Sequence, residues 1–162
     1  MSEINTPILE TRDLIKYFKT RRGNLHAVDH VNLSVFRKKT LGVVGESGCG
    51  KSTLGRTILR LIEPTSGEIL YDGNDIVKYN SLQMTEIRRK MQIIFQDPYA
   101  SLNPRKTVSE LIADPLKVYN IPAKERSLKV KGLMETVGLA ERFAITFPHE
   151  LDGGRRQRIG IA

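Results

Sequence analysis

Residues 8–18 (ILETRDLIKYF) and 31–35 (VNLSV) alternate apolar with polar side chains, the period of a half-buried strand, so both are predicted to be strands. Leu41 to Val44 form a short apolar run directly before the stretch GESGCGKST, which fits a buried strand. After that stretch Leu54, Ile58 and Leu61 recur at helical spacing, and Pro64 lies just past the expected end. PTSGEILYDGND predicts turn, strand, turn; a short helix follows around residues 82–90, then an apolar strand from Met91 to Phe95. From Asp97 the pattern changes to helices with proline-rich connections. Thr107 and Glu110 have the spacing of a capping box. Val130, Leu133, Met134 and Val137 lie at i, i+3, i+4 and i+7 of a helix that Gly138 is placed to end in a left-handed turn. The chain closes at Ile161-Ala162, inside the opening turns of one more expected helix, which suggests a fragment. The expected organisation is a strand-rich part over 1–96 that holds the glycine-rich loop and a helical part over 97–162, without internal repeats.

The chemistry concentrates in residues 45–53. Gly45, Gly50, Lys51 and Ser52 satisfy G-x-x-x-x-G-K-[ST], a phosphate-binding loop. Glycines let the backbone curl so that its N–H groups converge on phosphate oxygens, and the following helix adds the positive end of its dipole. In that chemistry Lys51 reaches the β- and γ-phosphates and the Ser52 hydroxyl meets magnesium. The candidate nucleotide-binding residues are therefore Gly45, Ser47, Gly48, Cys49, Gly50, Lys51, Ser52 and Thr53, with ATP and Mg2+ as cofactors. Cys49 is expected to be a small loop residue and not a nucleophile, because no local signature pairs it with a histidine.

Composition narrows this little. Apolar residues at 40% and charged residues at 27% fit a globular protein, and no stretch approaches the roughly 18 apolar residues of a membrane span. The N-terminus carries acids and lacks an apolar segment, so no signal peptide is expected; with one cysteine in the chain, the expected compartment is the cytosol. The net charge of +8 is spread over separate basic groups that no aromatic residues accompany, so nucleic acid is not the expected partner. His26 and His30 lie in strand-like sequence without a ligand cluster, so no metal site is expected there, and His149 is expected to be structural.

The order of motifs resembles the ATP-binding subunit of an ABC transporter. GESGCGKST corresponds to that family's Walker A, Gln96 in IIFQDPYASLNPR to its Q-loop, and Leu151-Asp152-Gly153-Gly154-Arg155 to its signature motif. Phe18 in LIKYF matches the aromatic that stacks on adenine, with Tyr17 as the second candidate. GESGCGKSTLGRTILRLIEPTSGEI and FQDPYASLNPRKTV are most similar to the oligopeptide and dipeptide importer branch. The resemblance implies an α/β P-loop ATPase core with an N-terminal antiparallel β layer and a helical subdomain, the later strands of the sheet missing. It also implies that Gln96 meets magnesium and the attacking water, a catalytic and metal-binding role shared with Ser52 as metal ligand. Asp152, Gly153 and Gly154 would face the γ-phosphate held by a second ATP-binding subunit. Integral membrane permease subunits would be the further partners, placing the protein peripherally on the cytoplasmic face of the membrane.

Two departures qualify the resemblance. Asp152 and Arg155 replace the signature serine and glutamine, and a carboxylate facing a polyanion needs an offsetting cation, which Arg155 can supply. No apolar strand ending in Asp-Glu follows the signature within the 162 residues; Ile69-Leu70-Tyr71-Asp72 leads into Gly73 and precedes the Q-loop, so it is expected to be a strand and turn. Little hydrolysis is therefore expected of the 162 residues alone. A soluble ABC protein acting on DNA or ribosomes would need zinc motifs or basic linkers, and a GTPase would need Asn-Lys-x-Asp. The sequence holds neither.

Overall fold

The computed structural model describes residues 6–95, 97 and 101–162, and the chain divides into two compact units, Met1–Gln92 and Ile93–Ala162. In the first, β1 (Pro7–Thr20) and β2 (Gly23–Phe36) form a long antiparallel hairpin. β3 (Ser66–Tyr71) pairs with the other edge of β1, and the short β4 (Asn74–Asp75) returns on β3, giving the order β2-β1-β3-β4. The expected turn between β3 and β4 is present: Asp72 and Gly73 both have positive φ, 48° and 76°, the twist that suits a two-residue hairpin.

The alternation that predicts the strands also builds the core. Leu14, Val28 and Ile69 leave the sheet to meet Leu54 of α1 (Lys51–Ile58) and Met84 and Ile87 of α2 (Ser81–Lys90), with Ile76 completing the cluster. Each such side chain contributes roughly 1.5–3 kcal/mol when fully buried. Thr11 is buried among them without an unmet polar atom, because its Oγ1 donates to the Val31 carbonyl at 3.0 Å and accepts from the Leu33 N–H at 3.2 Å. α1 stops at Ile58, short of Leu61. Arg60 then turns at φ 49° and donates to the carbonyls of Ile76 and Tyr79 at 2.7 and 2.9 Å, fastening the helix end to the segment before α2.

The hairpin is not regular. Thr11 faces Leu33 and Leu14 faces Val31, so β1 carries an extra residue there; β2 carries one between Leu14/Val31 and Lys16/Val28. A third irregularity follows at once. Lys16 pairs with Val28 and Tyr17 with His26, so Ala27 is left without a partner across the ladder.

Two expected strands are not formed. Leu41 to Val44 are irregular and exposed, Val44 to 97%, and Met91 to Phe95 are irregular as well, with Ile94 and Phe95 exposed. A strand exists by its ladder, and no strand among the described residues pairs with either run. Apolar content alone marks such a segment as buriable without supplying the neighbour that makes it a strand.

The regular elements among the described residues of the second unit are helices and short 3-10 turns. α3 (Val108–Val118) opens on the expected capping box, with the Glu110 carboxylate accepting the Thr107 N–H at 2.8 Å and Thr107 Oγ1 accepting the Glu110 N–H at 3.4 Å. α4 (Ala123–Thr136) ends as its spacing predicts: Gly138 has φ 68°, the Leu139 N–H donates to the Met134 carbonyl at 2.8 Å, and the Gly138 N–H to the Glu135 carbonyl at 3.0 Å. Two short 3-10 turns lead to α5 (Gly153–Ile161), and Val108, Ile112, Val130, Met134, Leu139, Leu151 and Ile159 form the core. Among the described residues no helix is long and apolar enough to cross a membrane.

Candidate functional site

The loop before α1 folds around the Lys51 ammonium. Nζ donates to the carbonyls of Gly45 and Glu46, both at 2.6 Å, and lies 3.5 Å from Cys49 Sγ. Two of its three N–H groups thus close the loop, and the third has only a weak thiol acceptor. Gly48 and Gly50 turn the chain through positive φ, 84° and 94°. Gly50 is also pressed from outside, since a Cβ there would collide with the carbonyl of Ala27, a residue of β2 that has slipped out of the pairing.

Gly50 is the N-cap of α1 and offers no side chain, and the first turn holds no acidic residue. The N–H groups of Lys51, Ser52 and Thr53 point out of the helix start without an intrahelical partner, and the helix dipole adds positive potential there. Ser52 presents an exposed hydroxyl on the same turn. Uncapped donors, a lysine with a spare N–H, a hydroxyl and the absence of a competing carboxylate fit a polyphosphate. They fit magnesium on terms usual for that ion, which takes phosphate oxygens and water with few protein ligands. Among the described residues no cluster of three His, Cys, Asp or Glu could hold a metal instead.

Beside the loop lies a cavity of ≈ 340 Å³ whose lining includes Cys49, Gly50, Lys51 and four consecutive residues of β2, His26 to Asp29. Strict alternation would set His26 and Asp29 on opposite faces; the slip at Ala27 sets them on the same one, while Val28 turns into the core. Val31, Val43, Val44 and Leu54 make the rest of the lining apolar. Tyr17 stacks on His26, ring centroids 3.8 Å apart, and donates its hydroxyl to Asp29, whose other oxygen lies 3.7 Å from His26 Nδ1. The Tyr17 hydrogen bond holds the Asp29 carboxyl below the usual carboxylate range, and Asp29 in turn raises the Tyr17 hydroxyl. Asp13, hydrogen-bonded to His30, raises the His30 imidazole.

The other predicted residues fall as follows. Gly45, Ser47 and Gly48 belong to the loop, and Ser52 and Thr53 to the first turn of α1. Phe18 is half-buried on β1 with Lys16 Nζ 5.0 Å from its ring centre, and it is not among the residues lining the cavity. Gln96 lies outside the described residues. In the second unit Asp152 is the N-cap of α5: its carboxylate accepts the Arg155 N–H at 2.8 Å and pairs with the Arg155 guanidinium at 3.0 Å, while Gly153 and Gly154 form the first turn. The Arg155 N–H bond, followed by the guanidinium charge, holds the Asp152 carboxyl below its ordinary value. The structure thus joins the two departures from the signature motif in one ion pair.

The model of the ABC transporter family matches residues 28–162. The chain belongs to the ABC transporter family. Within it the chain is an ATP-binding domain, similar to the oligopeptide transport ATP-binding proteins OppF and AppF of Bacillus subtilis (strain 168), 51% and 49% identical over 96% of the chain. It spans about half the length of these curated relatives, 52% and 50%. The ABC cassette fold is shared with a dimeric post-hydrolysis structure of the ATP-binding cassette MJ0796 bound to ADP and Pi, with a TM-score of 0.82, 30% identity and coverage of 94% of this chain and 67% of that one. cbiO1 of Clostridium perfringens, part of the ABC transporter complex cbiONQ, aligns with a TM-score of 0.74 and 26% identity over 96% of this chain and 60% of that one.

Sequence reasoning missed His26 and Asp29. Both sit in strand-like sequence ahead of the strand predicted over 31–35, and their meeting with the loop depends on a register irregularity that no local signal marks. The spacing of His26 and Asp29 is compatible with an ion pair but does not place it beside Lys51.

Proposed function

We propose that the chain binds ATP with magnesium through Gly45 to Thr53, as the nucleotide-binding part of an importer for oligopeptides or dipeptides. The observation that carries the binding is the arrangement around Lys51: an ammonium that closes the loop with two N–H groups and keeps a third, beside an uncapped helix start. Lys51 would hold the β- and γ-phosphates, the N–H groups of Gly48 to Thr53 would cradle them, and Phe18 would stack on the base. Ser52, with Gln96, would hold magnesium, which supplies charge neutralisation between the phosphates.

In this reading Asp152, Gly153 and Gly154 serve the nucleotide of a second ATP-binding subunit, and Arg155 offsets the Asp152 charge. Permease subunits in the membrane would be the driven partner, with the chain peripheral on the cytoplasmic face. The importer branch is supported by the similarity to OppF and AppF, and pairing of subunits by the dimeric form of MJ0796. Because the 162 residues hold no apolar strand ending in Asp-Glu after the signature, they alone are expected to bind ATP with little turnover. Isothermal titration calorimetry with ATP and magnesium tests the site. Lys51→Ala removes a charge-assisted donor and should weaken binding by about ten- to a hundredfold with an unchanged far-UV spectrum. Equal affinity in the variant refutes the assignment.

A further inference from the structure

The arginines of α5 turn back on the chain that precedes it. Arg156 donates to the Pro148 carbonyl at 2.7 Å, and Arg158 to the carbonyls of Val137 and Gly138 at 3.3 and 3.0 Å. Arg155 differs. Its guanidinium lies 4.7 Å from the ring centre of Phe143 and pairs with the Asp152 carboxylate at 3.0 Å. Arg142 approaches the same ring at 5.0 Å, while its neighbour Glu141 is bound by Lys131 at 2.9 Å. Phe143 is itself fixed: it sits in the 3-10 turn Glu141–Ile145, half-buried against the core of the second unit. The Thr146 carbonyl that follows accepts the Val108 N–H at 3.0 Å, tying the turn to α3. An exposed ion pair between two flexible side chains contributes little, because each gives up rotamer freedom to form it. Asp152 and Arg155 are 57% and 46% exposed, so that limit applies to them. A ring beneath the guanidinium removes much of the freedom in advance, since the planar group stacks on an aromatic face.

We infer that Phe143 is a positioning residue of the signature segment: its ring holds the Arg155 guanidinium at Asp152, so that the carboxylate at the start of α5 stays compensated where a partner's nucleotide is received. This rests on the reading in which Asp152, Gly153 and Gly154 serve the nucleotide of a second subunit, and it adds a residue outside the motif that makes the two departures act together. A guanidinium released into solvent would leave the carboxylate unopposed before the phosphates, and like charges repel there. The Arg155 N–H holds the Asp152 carboxyl low wherever the guanidinium stands, so the ring acts on the guanidinium's share alone.

The test is a carbon-13 NMR titration of the side-chain carboxyls in the 162-residue chain. Phe143→Leu keeps an apolar side chain and removes the ring; the Asp152 pKa should rise part of the way to its ordinary value, while Phe143→Tyr leaves it in place. Arg155→Gln should raise it as far, and Phe143→Leu should add nothing on that background. The Glu110 carboxyl, held low by its own cap on α3, reports on folding and should not move. An Asp152 pKa that stays put in Phe143→Leu, moves equally in both Phe143 variants, or moves together with Glu110 overturns the inference. Sedimentation with ATP and magnesium reads the consequence: the self-association constant should fall about three- to tenfold in Phe143→Leu and recover when Asp152→Ser is added. Absence of the fall or of the recovery overturns the role. If the unaltered chain does not associate with ATP, the signature reading itself fails and this role with it, whatever the titration shows.

Discussion

Alanine placed at Gly50, Gly48 and Gly55 separates three physical effects within one stretch of chain. Gly50 has φ 94° and would thrust its Cβ into the Ala27 carbonyl. Left-handed backbone costs an L-residue about 1–2 kcal/mol, and overpacking against a backbone atom about 1–3 kcal/mol more. Gly48 has φ 84° but nothing within 4 Å of its would-be Cβ, so only the first cost of about 1–2 kcal/mol applies. Gly55 lies inside α1 with open space around it, and alanine there should stabilise by about 0.5–1 kcal/mol through helix propensity. Urea unfolding followed by far-UV circular dichroism, at a common slope, should therefore order the midpoints Gly55→Ala above the native chain, then Gly48→Ala, then Gly50→Ala. Equal midpoints for the Gly48 and Gly50 variants would refute the close approach of β2 to the loop. A lowered midpoint for Gly55→Ala would refute the open helix face.

Two further outcomes follow from charge. The His30 pKa is raised by Asp13, so this pair contributes fully below the unfolded value of about 6.5 and is lost as pH rises through the folded value; an NMR titration should place His30 above 6.5 and Asp13→Asn should return it. Asp152→Ser removes a carboxylate that Arg155 already offsets, so ATP-driven self-association followed by sedimentation should stay unchanged; a gain would mean that the carboxylate weakens this half-site despite Arg155.

What was legible in the sequence is what short-range chemistry decides. Thr107 with Glu110 and the run from Val130 to Gly138 carry their own hydrogen-bond partners within a turn or two, and both are found as expected. The Asp72-Gly73 turn is of the same kind. Leu41 to Val44 and Met91 to Phe95 were misjudged because their apolar composition states a preference for burial and leaves the partner strand unspecified. Of the candidate site, the contacts among Gly45, Cys49 and Lys51 were accessible from the motif, since its residues are neighbours in sequence. His26 and Asp29 were not, because a one-residue slip between β1 and β2 decides which side chains share a wall.

That slip links the two halves of the site. Ala27 drops out of the ladder, and its carbonyl then stands where only a glycine can follow, at the N-cap of α1. The same displacement carries His26 and Asp29 to the wall of the cavity that the loop completes. The shape of the phosphate loop is thus fixed from two directions, by Lys51 bonding to carbonyls within it and by β2 pressing on its last glycine. A change that restored regular pairing at Ala27 would free Gly50 from its constraint and turn the neighbouring side chains by one position. The shape of the loop would then be altered by a residue that lies outside it.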